Sequence, residues 1–284
     1  MIRLLTLALI AWAGLLLAEA RVASSYAWSL SDDRFGGFSG LHVFPGGARF
    51  MALTDSATMF EGRFLRDASG RLTGIDEVTI TPLPDENGRP IRGIRGDSEG
   101  LAVAPDGRVF VSFEGVARLR IEDAGNGLPL RLPRHPDFEG MQRNSSLEAL
   151  AIGPDGALYT IPERSGRTTR PFPVYRLRGE TWDIPFSIPR RGAFLVTGAD
   201  IGPDGLLYIL ERDFTGIGFR SRVRRFDLSG GGEETLFQSR TGEYDNLEGI
   251  SVWQDGAGRR VVSLISDDNF RWFQRTEIVE LLLD

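Results

Sequence analysis

The sequence predicts an all-β propeller of five four-stranded blades, with six as the alternative count, and three observations carry that prediction. The first is an internal repeat: residues 147–163, LEALAIGPDGALYTIPE, recur in altered form from Phe38, Ser98, Thr197 and Leu247. The second is the period. Ser39, Glu99, Glu148, Thr197 and Glu248 are equivalent, at intervals of 60, 49, 49 and 51 residues, the length of one propeller blade. The third is the pattern inside each copy, a short apolar segment, a turn and a second apolar segment, which reads as a hairpin and not as a helix.

In chain order, residues 1–20 carry Arg3, an apolar run over 4–18 and a small-x-small Ala-Glu-Ala at 18–20. This is the pattern of a secretory signal peptide; the run is short for a membrane span of about 20 residues. The mature chain, residues 21–284, is therefore expected as one exported domain in a bacterial periplasm or outside the cell. Residues 26–30 read as a lone strand before the first repeat. Each repeat then supplies a hairpin closed by Gly46-Gly47, Pro-Asp-Gly at 105–107, 154–156 and 203–205, or Asp255-Gly256, residues that preset φ, bond their own backbone or tolerate positive φ. Outer strands are expected at 59–65 and 76–81, 117–121 and 128–132, 174–177 and 184–188, and 223–228 and 235–238. The fifth repeat has only one further strand, 277–283, so the N-terminal strand is expected to complete that blade and close the ring, which removes exposed edges. Polar loops at 84–90, 133–144 and 164–173 are candidate carriers of binding groups.

Composition narrows the chemistry. The net charge of −6 gives no electrostatic reason for a nucleic-acid or anionic membrane partner; a small-molecule substrate and a monomer are the expectation. All 33 basic residues are Arg, which excludes a lysine Schiff base and leaves side chains suited to bidentate grip on phosphate or carboxylate. Cysteine is absent, which excludes thiol catalysis and Cys-ligated zinc. Only His42 and His135 are present. His42 aligns with small residues near the axis and reads as structural; His135, in a loop, is expected exposed.

The first strand of each repeat starts beside Ser39, Glu99, Glu148, Thr197 or Glu248, and its antiparallel partner ends at Asp55, Glu114, Glu163, Glu211 or Asp267. In a propeller these positions converge on one mouth of the central channel. Eight of the ten are carboxylates, with Asp97, Asp200, Asp213, Asp268, Asn246 and Asn269 adjacent in sequence. Two carboxylates about 5 Å apart repel by roughly 3 kcal/mol at an effective dielectric of about 20. Such a ring needs a cation, arginines or protons. An all-oxygen donor set suits a hard cation such as Ca²⁺, with Glu99, Glu148, Glu248 and Asp267 as expected ligands. Glu163 and Asp55 are the candidate general bases, and Arg164, Arg212 and Arg95 the candidate substrate anchors. Counting from the turn glycine places Arg212 rather than Glu211 opposite Glu163, and a one-residue slip reverses the face. Gly96 to Gly100 matches the G-x-S-x-G nucleophile elbow, but here it precedes an inner β-strand instead of a strand-to-helix turn, so Ser98 reads as structural.

Phe-Ser-Gly-Leu at 38–41 with Thr54-Asp55, Asp-Ser-Glu-Gly-Leu at 97–101 with Glu114, Glu148 with Glu163, Asn-Leu-Glu-Gly-Ile at 246–250 and Ser-Asp-Asp-Asn-Phe at 266–270 together resemble the phytase-like family labelled "esterase-like activity of phytase". The resemblance spans nearly all of the mature chain and implies an exported β-propeller hydrolase of phosphate or carboxylate esters. Two other readings stay open: a metal-dependent lactonase similar to the gluconolactonase and senescence-marker group, and a non-catalytic periplasmic binding scaffold.

Overall fold

The computed structural model describes residues 20–142 and 145–283; the leader expected at 1–20 lies outside the described residues except for Ala20. Strand β1 (Arg21–Trp28) stands apart from the first four blades. These follow in order as β2 (Phe38–Val43) to β5 (Leu72–Pro82), β6 (Ser98–Val103) to β9 (Leu130–Arg131), β10 (Leu147–Ile152) to β13 (Thr181–Ile188), and β14 (Leu195–Ile201) to β17 (Glu234–Gln238). The fifth blade holds β18 (Asn246–Gln254), β19 (Arg260–Asp267) and β20 (Thr276–Leu283), with β1 antiparallel to β20 as its outer strand. Five four-stranded sheets thus form a ring closed by the N-terminal strand, as the repeat count and the orphan strand predict.

Closure has a packing reason. Trp28, at the end of β1, is buried against the first blade, stacked on Phe38 at 5.1 Å and edge-on to Phe50 at 5.5 Å. Each aromatic pair adds about 0.5–1.5 kcal/mol beyond the area buried. The outer strand of the last blade is thereby pinned to the first. Farther along β1, Ser24 donates to Glu280, which also takes a two-pronged ion pair from Arg66 of the first blade.

Small hydroxyl side chains fasten the inner strands to one another. Ser39 Oγ donates to the Ser98 carbonyl at 2.7 Å, Ser98 Oγ to the Thr54 carbonyl at 2.6 Å, and Ser112 Oγ to the Leu147 carbonyl at 2.9 Å. Ser98 also accepts the Ala57 N–H and is fully buried. Its G-x-S-x-G setting is therefore a latch between blades.

Every innermost strand pair carries a β-bulge at the same place: between Phe38 and Gly40, Ser98 and Leu101, Leu147 and Ala149, Val196 and Gly198, and Leu247 and Gly249. Ser39, Glu99, Glu148, Thr197 and Glu248 occupy these bulges, and a bulge re-aims the side chain of its extra residue. The glycine that follows in four copies lets the strands meet at the axis. A Cβ on Gly249 would lie 2.9 Å from the backbone carbon of Gly40, closer than real Cβ contacts come. The Glu-Gly pair is thus one device: glycine closes the axis, and glutamate faces the mouth.

Candidate functional site

The bulges bring acids from separate blades into one buried group. One carboxylate oxygen each of Asp97, Glu99 and Glu114 lie within 4.8 Å of one another. Glu148 shares a side-chain hydrogen bond with Glu114, which requires a proton between two carboxyls. Burial, with the charges of Glu99 and Glu114, raises Glu148 well above the usual carboxylate range. Glu99 is raised likewise, by burial first and then by Glu248, Glu114, Asp97 and Asp55. Its carboxylate takes no hydrogen bond among the described residues. Asp55 and Asp267 are both pushed up to about 7, each mainly by burial and then by neighbouring acids.

Across the mouth, one guanidinium compensates the charge. Arg212 donates to Glu248, to Asn246 Oδ1 at 2.7 Å and to Glu163 Oε1 at 3.3 Å. Asn246 Nδ2 donates in turn to Glu248 at 2.8 Å and to Asp267 at 3.3 Å. The loop after β19 completes this side: the Asn269 N–H donates to Asp267 at 2.6 Å, and the Gly37 N–H to Asp268 at 3.1 Å. Asn269 and Phe270 both have positive φ, of 48° and 51°, the kind of backbone strain that concentrates at functional sites.

The register corrects one member of the expected ring. Leu195 pairs with Arg212 and Val196 with Glu211, so Arg212 takes the place that Glu163 holds in the preceding blade. Glu211 faces the other way, fully buried, and accepts from Arg222 and Arg224 at 2.8 and 2.5 Å. It is a structural anion. Asp200 is also away from the mouth, bonded to the Ile201 and Val252 N–H groups. Ser39 and Thr197, the two bulge residues without charge, aim their hydroxyls at the neighbouring backbone.

A cleft of about 1190 Å³ opens from this mouth between the fourth and fifth blades, reached by Glu163, Arg164, Arg212 and Asn246. A second cavity, about 480 Å³, touches Asp55 and Asp97. The structure therefore brings Glu99, Glu148, Glu248, Asp267, Asp55, Glu163 and Arg212 around one mouth, with Arg164 beside it, bonded to Glu163 at 3.1 Å and half exposed. Arg95 lies exposed on a 3-10 turn and lines neither cavity. His42 packs edge-on to Phe44 at 4.8 Å, and burial lowers it to about 4, so it is a neutral packing residue. His135, expected exposed, instead accepts the Asp137 N–H and packs on Tyr175 at 4.9 Å. In the sequence Asn246 and Asn269 stand beside acids and inside the segments that carry the family resemblance, and their bridging roles follow from register. The cleft wall at 213–219 carries no motif; the walls at 242–246 and 269–275 touch the Asn-Leu-Glu-Gly-Ile and Ser-Asp-Asp-Asn-Phe segments only at Asn246 and Asn269.

A family model described as "Phytase-like: Esterase-like activity of phytase" matches residues 33–270. No curated protein matches in sequence. Among solved structures, the chain is similar to regucalcin of Agrobacterium tumefaciens, described as a calcium-binding protein, at 13% identity and TM-score 0.51, covering 93% of this chain and 97% of that one. It is also similar to an α-L-arabinofuranosidase of Podospora anserina, at 13% identity and TM-score 0.52, covering 93% and 98%. A PQQ-bound aldose sugar dehydrogenase of Streptomyces coelicolor is similar at 15% identity and TM-score 0.50, covering 94% and 99%. Likeness at this identity shows the propeller fold alone.

Proposed function

The chain belongs to the phytase-like family, and from that premise we propose that it is an exported hydrolase of phosphate or carboxylate esters that works with a divalent cation, calcium first, at the acidic mouth. The observation that carries the proposal is Glu99: a buried carboxylate with no hydrogen-bond partner among the described residues, facing Asp97 and Glu114 within 4.8 Å. Three carboxylates this close repel one another unless protons or a cation come between them. The donors are all oxygens, as a hard cation requires, so the residues present fit Ca²⁺. Glu99 and Glu148 would hold it with Asp97 and Glu114, and Glu248 and Asp267 would face it from the Arg212 side. When bound, the cation supplies polarisation of the ester oxygen and a lowered pKa for an attacking water.

The chain's own residues do the rest. Asp55, poised near 7, is suited to accept a proton at neutral pH. Glu163, held between Arg164 and Arg212, positions both guanidinium groups toward the cleft and is the second candidate base. Arg212 and Arg164 offer charge-assisted hydrogen bonds to a substrate anion. The test is hydrolysis of chromogenic phosphate and acetate esters by residues 21–284, with Ca²⁺ and then with excess chelator. Turnover lost on chelation, restored by Ca²⁺ and abolished in Glu148→Gln with Glu248→Gln supports the proposal. Turnover unchanged in that double variant removes the assignment, and silence with every ester leaves a binding scaffold.

A further inference from the structure

We propose that the cleft between the fourth and fifth blades selects esters that pair an anionic group with a bulky apolar body, such as an aryl or branched-alkyl phosphate or carboxylate. This rests on the ester-hydrolase reading and names the substrate class for that site. The volume of about 1190 Å³ exceeds the usual range for drug-sized ligands. Its inner wall is the reacting end, where Arg212, Glu163 and Asn246 meet both the acids and the cleft. The outer walls differ in character. The turn between β15 (Leu207–Phe214) and β16 (Phe219–Phe226) contributes Phe214, Ile217 and Phe219, and the loop before β20 contributes Phe273.

These side chains are not covered by the protein. Ile217 is 92% exposed, and Trp272, next to Phe273, is 95% exposed. Exposed apolar side chains clustered around a cleft mark a binding surface, whereas isolated ones are ordinary. Charge gives the second half of the selection. Arg164, Arg271 and Arg275 line the cleft, and the Arg271 guanidinium lies 5.9 Å from the centre of the Phe273 ring. Glu163 is paired with Arg164 and Arg212, and Asp213 with Arg220; Asp245 accepts from Gln274 Nε2 at 2.7 Å and the Arg275 N–H at 3.0 Å and keeps its charge, against Arg271 and Arg275, which form no ion pair among the described residues. The charge left for a ligand is therefore positive. A polar polyanion would satisfy the arginines and leave the apolar wall wet; a neutral ester would do the reverse.

The test separates ligand selection from turnover. With Ca²⁺ present, the binding of naphthalene-1-sulfonate, methanesulfonate and 1-naphthol to residues 21–284 is measured by calorimetry. The expected result is one site at which naphthalene-1-sulfonate binds at least about tenfold more tightly than either half-ligand, since the guanidinium and aromatic contacts act together. Arg271→Ala with Arg275→Ala, and separately Ile217→Ser with Phe273→Ala, should each weaken it by roughly tenfold. All four positions are exposed or partly exposed, and unchanged thermal melts verify that each variant folds. Equal binding of naphthalene-1-sulfonate and methanesulfonate, or binding unaffected by both double variants, overturns the inference. The reading beneath it fails differently. If simple esters are hydrolysed without preference for anionic aryl ones, the hydrolase stands and the selectivity falls; if naphthalene-1-sulfonate binds as expected but no ester turns over, the selectivity stands and the hydrolase falls.

Discussion

Replacing Asp55 by Asn should stabilise the cation-free protein at pH 8 and leave it nearly unchanged at pH 4. In the fold the Asp55 carboxyl is pushed to about 7, by burial first and then by the charges of Asp267, Asp97 and Asp268. In the unfolded chain it titrates near 3.9. Below that value both states hold the proton and nothing is lost. Between about pH 4 and pH 7 the unfolded chain releases its proton while the folded one keeps it, so stability falls across that window and stays low above it. The full displacement corresponds to roughly 4 kcal/mol; partial exposure and screening reduce this to about 2–4 kcal/mol. For a chain of this size about 1 kcal/mol moves Tm by roughly 2 °C, so the variant should melt about 4–8 °C higher at pH 8 in chelator. Melts followed by circular dichroism from pH 4 to pH 9 measure this, and saturating Ca²⁺ should shrink the difference by neutralising the same field. A variant that melts lower at pH 8, or whose advantage is the same at pH 4, would show that the acids of the mouth are not in conflict.

Substitutions at three further positions separate the groups of the mouth from those that hold the ring. Arg212→Gln leaves Glu163 and Glu248 without their shared cation and should cost about 3–5 kcal/mol, with Arg212→Lys recovering only part because the fork that reaches both acids is gone; urea unfolding measures both. Glu211→Gln should destabilise by a similar amount, about 3–5 kcal/mol, because Arg222 loses its ion-pair partner and Arg224 keeps only Glu233, yet leave calcium titration unaltered. Ser98→Ala should cost about 1–2 kcal/mol for the lost latch while ester turnover persists, and complete loss of turnover in a folded Ser98→Ala protein would revive a serine nucleophile.

How far the sequence speaks for the fold depends on how local each signal is. The Pro-Asp-Gly turns and the Glu-Gly pairs are short-range and repeated, so the hairpins and five blades could be placed by counting. Strand β1 was expected at 26–30 and is found at Arg21–Trp28, because its outer half, Arg-Val-Ala-Ser-Ser, has little apolar alternation and depends on Glu280 across the ring seam. Strand β9 shrinks to Leu130–Arg131, an edge with one partner. In the site, the repeat placed the acids at strand ends, but only the pairing of Val196 with Glu211 decides that Arg212 and not Glu211 joins them. The bulges that aim Glu99, Glu148 and Glu248 leave no mark in composition. The cleft was less legible still, since its walls come from loops far apart in the chain, and none of the described residues of loops 84–90 and 133–144, the longer polar loops of the sequence, lines it.

The most direct measurement is a calcium titration by calorimetry at pH 6, run in two buffers of different ionisation enthalpy, on the mature chain and on Glu99→Gln with Glu148→Gln. Asp55 and Asp267, displaced to about 7, hold protons at that pH, burial and neighbouring acids raise Glu99 and Glu148 in the same direction, and a cation entering among these carboxyls must expel protons. Saturable binding whose apparent heat differs between buffers, with proton release that disappears in the double variant, is the predicted result. Absence of binding, or binding without proton release that the double variant leaves intact, would place the cation elsewhere and contradict an acidic mouth built around it.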